Sequence, residues 1–270
     1  MKYKVLAFDI DGTLTDSEKK ITPRTKAAII KAQEQGCIVA IASGRPRPGV
    51  KRYADELELK KNGGYILALN GGLLERYSDG RVIRQSVIPK EYYGEIYELA
   101  KTNNVNILTY DGDTVVSENL DDKYLETEVR INGLGQKRVE NLREYLTYEV
   151  PKFLMLGDGD YLAVIEPKVY ARLHDRMDVY RSEPFFLEIL PKNINKASAL
   201  EELLSFVGAE RDELMAFGDG YNDISMLEFA GMGVAMGNAH SEVKEHADII
   251  APGNDEDGIA DILERYVLNK

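Results

Sequence analysis

Five short apolar runs in this chain end in the same manner. Val5-Leu6-Ala7-Phe8 runs into Asp9-Ile10-Asp11-Gly12-Thr13, the run 37–42 into Ser43-Gly44-Arg45, and the run 65–69 into Asn70-Gly71-Gly72. Further on, 214–217 ends in Gly218-Asp219-Gly220-Tyr221-Asn222-Asp223, and Val234-Ala235-Met236 ends in Gly237-Asn238. Apolar runs this short, bounded by small and polar residues, suit strands covered on both faces. Helical patterns fall between most of them. Thr22-Pro23 offers an N-cap and a proline at the first helical position, with Gly36 closing the helix. Residues 196–206 form an amphipathic pattern, and 222–230, 241–246 and 258–266 read as further helices. Strands joined by helices run parallel, so all five polar endings are expected on one sheet edge, where open α/β sheets bind ligands.

Between residue 84 and about 189 the texture changes. Tyrosines become frequent, and apolar and polar residues alternate, as in Arg81-Val82-Ile83-Arg84-Gln85 and in 105–110. Helical patterns are expected at 90–103, 136–147 and 167–177. Gly157-Asp158-Gly159-Asp160 precedes a strand-like run, 161–165, and reads as a hairpin turn. The expected fold class is therefore α/β, with a parallel-sheet core from 1–83 and 190–270 and an α+β insert from 84–189.

A chain of 270 residues with a 44% hydrophobic share can bury a full core and divide in two. Its 46 acidic against 34 basic residues, net −12, argue against nucleic acid or an anionic membrane as the main partner. The single cysteine, Cys37, lies in an apolar run and excludes an internal disulfide framework. No apolar stretch approaches the ~20 residues that span a bilayer, so a reducing, soluble, cytoplasmic setting is expected.

The polar strand ends carry the candidate chemistry. Asp9 and Asp11 repel each other as anions unless a hard cation holds them ionised or their pKa values separate. Asp9 is placed to attack phosphorus as a carboxylate nucleophile, and Asp11 to protonate a leaving oxygen and then activate water. Ser43 and nearby amides are placed to bind phosphoryl oxygens. Asp219 and Asp223 would complete a Mg²⁺ site with Asp9. Lys196 starts a helix, where its charge opposes the macrodipole, and neutralising phosphate or carboxylates is one reason for it. Arg45 and Arg47 flank Pro46 within reach of substrate, although Arg47 fits a surface position equally well. The three histidines show no metal-ligand spacing.

Together these residues resemble the haloacid dehalogenase superfamily, and within it the Cof-type phosphatases with a large α/β cap. Asp9 to Thr13 matches the DxDGT motif, Ser43-Gly44-Arg45 the second motif, Lys196 the third, and Gly218 to Asp223 the GDxxND motif. Asn70-Gly71 and the stretch 233–238 resemble further Cof-type landmarks. Asn193 and Ala197 depart from it, standing where members often carry glycine, and Gly72 stands where alanine is commoner. The resemblance implies a Rossmann-like core with an inserted cap and a Mg²⁺-dependent phosphatase of small phosphorylated metabolites. Asp9 and Asp11 would be catalytic, and Ser43, Gly44, Lys196 and Asn222 would bind phosphate. Arg45, Asn70 and Gly71 would bind the remaining substrate, and Asp9, Asp11, Asp219 and Asp223 the metal. A phosphomannomutase-like mutase is the enzymatic rival. A phospho-acceptor or binding module without turnover is the rival from another class.

Overall fold

The computed structural model describes residues 2–269. The first 85 residues supply five strands: β1 (Val5–Phe8), β2 (Ile38–Ala42), β3 (Tyr65–Ala68), β4 (Leu73–Arg76) and β5 (Arg81–Gln85). The insert supplies six: β6 (Asn106–Asp111), β7 (Thr114–Ser117), β8 (Gly135–Arg138), β9 (Phe153–Leu156), β10 (Met177–Glu183) and β11 (Phe186–Pro191). The returning chain adds β12 (Leu214–Gly218), β13 (Met232–Ala235) and β14 (Ile249–Ile250). Two compact units result, one of residues 1–85 with 195–270, the other of residues 86–194.

The first unit is built on an eight-stranded sheet in the order β14-β13-β12-β1-β2-β3-β4-β5. From β14 to β3 the pairings are parallel; β3–β4 and β4–β5 are antiparallel. Every residue of β1 is buried, and its side chains divide between two cores. Leu6 and Phe8 pack with Ile29, Ile259 and Leu263 on one face, while Val5 and Ala7 pack with Leu200, Leu203 and Met226 on the other. Burial on both faces is what makes these strands read as unbroken apolar runs. The Phe8 and Phe217 rings stack at 4.9 Å across β1 and β12. Chain order runs outward in one direction from β1 through β2 and β3, and in the other through β12 and β13. That reversal is a topological switch point, which leaves a crevice at the strands' carboxyl ends.

One reading of the core is corrected by the sheet, and one strand is added to it. Arg81–Gln85, grouped above with the alternating strands of the insert, is the antiparallel edge of the core sheet. The added strand, β4, shows no unbroken apolar run because it holds the buried Glu75, whose carboxylate is neutralised by Arg47 through bonds of 2.7 and 3.1 Å.

The second unit has a six-stranded sheet, β10-β11-β9-β6-β7-β8. The helices Tyr93–Thr102 and Gly159–Leu173 share one core with Ile107, Phe153, Met155 and Ile189. Leu125, from helix Lys123–Asn132, packs with Leu108, Tyr110 and Leu154 on the other face. The expected hairpin at Gly157-Asp158-Gly159-Asp160 is instead a helix start: Asp158 accepts from the amides of Asp160 and Tyr161. Leu162, Ile165, Val169 and Leu173 are buried at helical spacing, while Tyr161 and Val164 stay exposed. The helix expected at 167–177 accordingly begins earlier and gives way to β10 at Met177. The one expected at 136–147 is the exposed strand β8 followed by a short helix, Leu142–Tyr145.

Candidate active site

β1 and β12 lie side by side in parallel register, Phe8 opposite Phe217, so the residues that follow them emerge together. The Asp9 amide donates to the Phe217 carbonyl at 3.0 Å, which pins Asp9 at the switch point. Asp9 is buried, and its Oδ1 accepts from Lys196 Nζ at 2.5 Å. The same ammonium donates to Asp223 Oδ1 at 2.5 Å. Lys196 is fully buried and is the first residue of helix Lys196–Val207. Asn195 caps that helix by accepting from the Ser198 amide at 2.8 Å. The lysine at an unfavourable helix position thus faces a cluster of carboxylates.

Asp223 is also fully buried. Its Oδ2 accepts from the amides of Asp219 and Gly220, each at 2.9 Å, which ties the loop after β12 into a tight turn. A Cβ on Gly218 would stand 2.5 Å from the Asp223 Cβ, so only glycine fits beneath that turn. Asp219 Oδ1 accepts from the Thr13 hydroxyl at 2.6 Å. Gly12 has φ +82, and a Cβ there would lie 2.2 Å from Asp219 Oδ2. The DxDGT string therefore needs its glycine twice over, for the backbone angle and for the approach of Asp219.

Asp9, Asp219 and Asp223 each offer an oxygen, all within 4.8 Å of one another. An all-carboxylate donor set of this size fits a hard divalent cation. Among the described residues, no hydrogen bond reaches Asp9 Oδ2 or Asp219 Oδ2. Asp11, expected as a fourth ligand, is not in this trio. Its carboxylate takes a two-pronged bond from Arg45, Nε to Oδ2 and Nη2 to Oδ1, both at 2.7 Å. Lys19 Nζ adds a third bond, to Oδ1, at 3.0 Å.

The electrostatics separate the two acids. Burial, with the charges of Asp223 and Asp219 beside it, pushes Asp9 up to about 8, against the pull of Lys196. Burial likewise raises Asp219, to about 6, opposed by the Thr13 hydrogen bond and assisted by Asp223. Partial burial would raise Asp11 too, but Arg45 and then Lys19 hold it down at about 2. For Lys196, burial favours the neutral amine, yet Asp223 and Asp9 outweigh it and keep the ammonium charged. The cluster carries more negative charge than one lysine balances, as a cation site requires.

The remaining expected residues gather nearby. Ser43 is buried after β2, with its Oγ accepting from the Arg45 amide at 3.2 Å and its carbonyl from the Asn70 amide at 2.9 Å. Asn222 Nδ2 donates to Asn70 Oδ1 at 3.1 Å, linking the loops after β12 and β3. A Cβ on Gly44 would lie 3.2 Å from the Asn70 side chain. Gly71, expected among the substrate contacts, is buried, and a Cβ there would lie 2.6 Å from the Asn195 carbonyl. Thr13 and Lys19 join the site beyond the residues the sequence marks. Thr13 stood inside the first motif; nothing in the pattern around Lys19 marks it.

The model of the haloacid dehalogenase-like hydrolases matches residues 6–263. A crystal structure of a haloacid dehalogenase-like hydrolase from Bacteroides thetaiotaomicron superposes with a TM-score of 0.93 at 44% identity, covering 98% of this chain and 99% of the other. A sugar phosphatase of HAD subclass IIB superposes at 0.78 with 27% identity, over 97% and 98% of the two chains. The 5-amino-6-(5-phospho-D-ribitylamino)uracil phosphatase YitU of Bacillus subtilis is 30% identical over 275 residues, 98% of each chain. With the switch-point carboxylates, the buried lysine and a match over nearly its whole length, the chain belongs to the haloacid dehalogenase-like hydrolases.

Proposed function

We propose that the protein is a Mg²⁺-dependent phosphomonoesterase of small phosphorylated metabolites, working through an aspartyl phosphate. The observation that carries this reading is Asp9: buried, fixed at the switch point, one oxygen held by Lys196 and the other accepting no hydrogen bond among the described residues. The other Asp9 oxygen attacks phosphorus and the ester P–O bond breaks; Asp11, an anion while Arg45 and Lys19 hold it, takes up a proton from solvent as the leaving group engages it and passes that proton to the leaving oxygen. Asp11 then accepts a proton from water, whose oxygen displaces Asp9 and releases inorganic phosphate. Ser43, Gly44, Asn222 and Lys196 are the phosphate contacts in this reading, and Arg45 with Asn70 borders the leaving group. Asp9, Asp219 and Asp223 would hold the Mg²⁺, which supplies charge neutralisation and polarisation of phosphoryl oxygen when bound. Structural and sequence similarity to phosphatases supports the same reading.

The test is phosphate release from a panel of metabolite monoesters, with Mg²⁺ and with chelator. Asp9→Asn should cost at least ~10³-fold in rate while the protein stays folded, because an amide cannot form the acyl phosphate. Near-normal turnover by a clean preparation of that variant would end the assignment. Isomerised sugar phosphate in place of free phosphate would identify a mutase.

A further inference from the structure

The turn at residues 16–20 has no part in the chemistry above, yet it delivers a cation to the acid. The Asp16 amide donates to the Lys20 carbonyl at 2.9 Å and the Lys19 amide to the Asp16 carbonyl at 3.0 Å. Asp16 Oδ1 accepts from the amides of Glu18 and Lys20, each at 2.9 Å, and the Ser17 amide is anchored on Asp255 Oδ1 at 2.8 Å. This closed turn holds Lys19 at φ +63, an angle that costs any residue with a Cβ. The two adjacent lysines then point to different partners: Lys20 to Glu18 on the surface, Lys19 to Asp11. A strained backbone angle in a turn tied down by five hydrogen bonds serves to aim the Lys19 side chain.

Three of the about four lone-pair sites of the Asp11 carboxylate are taken by these cations, so a leaving group reaching Asp11 competes with them. Arg45 is the harder one to move: its guanidinium makes two bonds of 2.7 Å, and its side chain is 15% exposed. Lys19 makes one longer bond of 3.0 Å from a side chain 54% exposed. Lys19 is therefore the group that yields, and its freed ammonium remains beside the leaving group. One ammonium balances one negative charge. In surroundings already rich in carboxylates, that matches a carboxylate better than a second phosphate dianion.

Building on the phosphatase reading, we infer that Lys19 is a specificity-determining residue: on substrate binding its ammonium passes from Asp11 to a carboxylate on the leaving group. The preferred substrates are then phosphate esters of hydroxy acids, with the carboxylate a few bonds from the ester oxygen.

Two esters of one skeleton provide the test, 2-phosphoglycerate with the carboxylate and glycerol 2-phosphate without it, with p-nitrophenyl phosphate as a general reporter of hydrolysis. The full-length Mg²⁺-loaded protein should favour 2-phosphoglycerate by at least about tenfold in kcat/KM, mostly through KM. Lys19→Asn suits the left-handed turn and removes the charge, so it should lower that ratio to near one. Lys19→Arg should restore most of it. Hydrolysis of p-nitrophenyl phosphate with equal kcat/KM for the two glycerol-skeleton esters would overturn the inference and leave the phosphatase reading standing. An unchanged ratio in Lys19→Asn would do the same. Absence of hydrolysis of all three esters would overturn both.

Discussion

Arg45 and Asp11, 34 residues apart in sequence, face each other as a fork and a carboxylate, with both bonds at 2.7 Å. This geometry pairs each carboxylate oxygen with its own N–H, which a lysine cannot reproduce. It is the main reason, beyond the smaller effect of Lys19, that Asp11 is held at about 2 although partly buried. Replacing Arg45 by Met should let the carboxyl climb toward the ordinary value of about 3.9, read by carboxyl-carbon NMR titration. Because the folded value is depressed, the stabilisation it brings is complete above about pH 4 and lost as pH falls through about 2. The acid-unfolding midpoint of Arg45→Met should accordingly move to higher pH. A titration unchanged from wild type would show that Arg45 does not govern Asp11.

The opposite sign applies to Asp9, raised to about 8, and Asp219, raised to about 6. In the window between pH ~4 and ~8 the folded, metal-free chain binds more protons at these sites than the unfolded chain. Their contribution to stability is complete below the unfolded value and lost as pH rises through the folded ones. A cation binds the deprotonated cluster and removes this loss by mass action. In the presence of chelator, Tm should therefore be lower at pH 8 than at pH 5.5 at matched ionic strength. The Tm gained on adding Mg²⁺ should be larger at pH 8. Equal gains at the two pH values would mean that the cation does not bind this cluster.

Lys196 is buried and bonded to two carboxyl groups, so its removal leaves both in the interior without their charged partner. Lys196→Met should cost about 3–5 kcal/mol in urea unfolding, the range for breaking a buried ion pair from one side. A surface lysine would change stability by less than ~0.5 kcal/mol. Adding Asp223→Asn removes one uncompensated charge while keeping a carbonyl oxygen for the amides of Asp219 and Gly220, so part of the loss should be recovered. Additive losses in the double variant would contradict a shared electrostatic origin.

What could be read in advance follows from which signals are local. β1 and β12 are buried on both faces, and such strands show as unbroken apolar runs whose polar ends mark the site. Lys196 stood out because a lysine at a helix start needs a partner, and it has two. The helix Gly159–Leu173 reads as a strand in sequence because five consecutive apolar residues satisfy both the helical and the strand period. Asp158, its cap, uses the same residue types as a hairpin turn. β8 is fully exposed, with no apolar face to announce it, and β14 is two residues long. The pairings of Arg45 and Lys19 with Asp11 depend on contacts across 34 and 8 residues and on the backbone angle of Lys19, none of which leaves a periodic trace.

Gly71 and Gly36 separate backbone strain from steric exclusion. Their φ angles are nearly the same, +94 and +96, so alanine is strained equally at both. Around Gly36, beyond the Pro23–Glu34 helix, a Cβ would meet nothing within 4 Å. At Gly71 it would lie 2.6 Å from the Asn195 carbonyl oxygen and 2.8 Å from the Ala199 Cβ. Those neighbours are the cap and first turn of the helix that carries Lys196, and backbone there cannot yield as a flexible side chain would. Gly36→Ala should therefore cost about 1–2 kcal/mol, the price of the left-handed angle alone. Gly71→Ala should cost the same plus a further ~1–3 kcal/mol for overpacking. It should also slow phosphate release, since relief of the clash displaces Lys196 from Asp9, whereas Gly36→Ala should leave turnover per folded molecule unchanged. Equal losses of stability in the two variants would show that the helix start can move aside, and that Gly71 is needed only for its backbone angle.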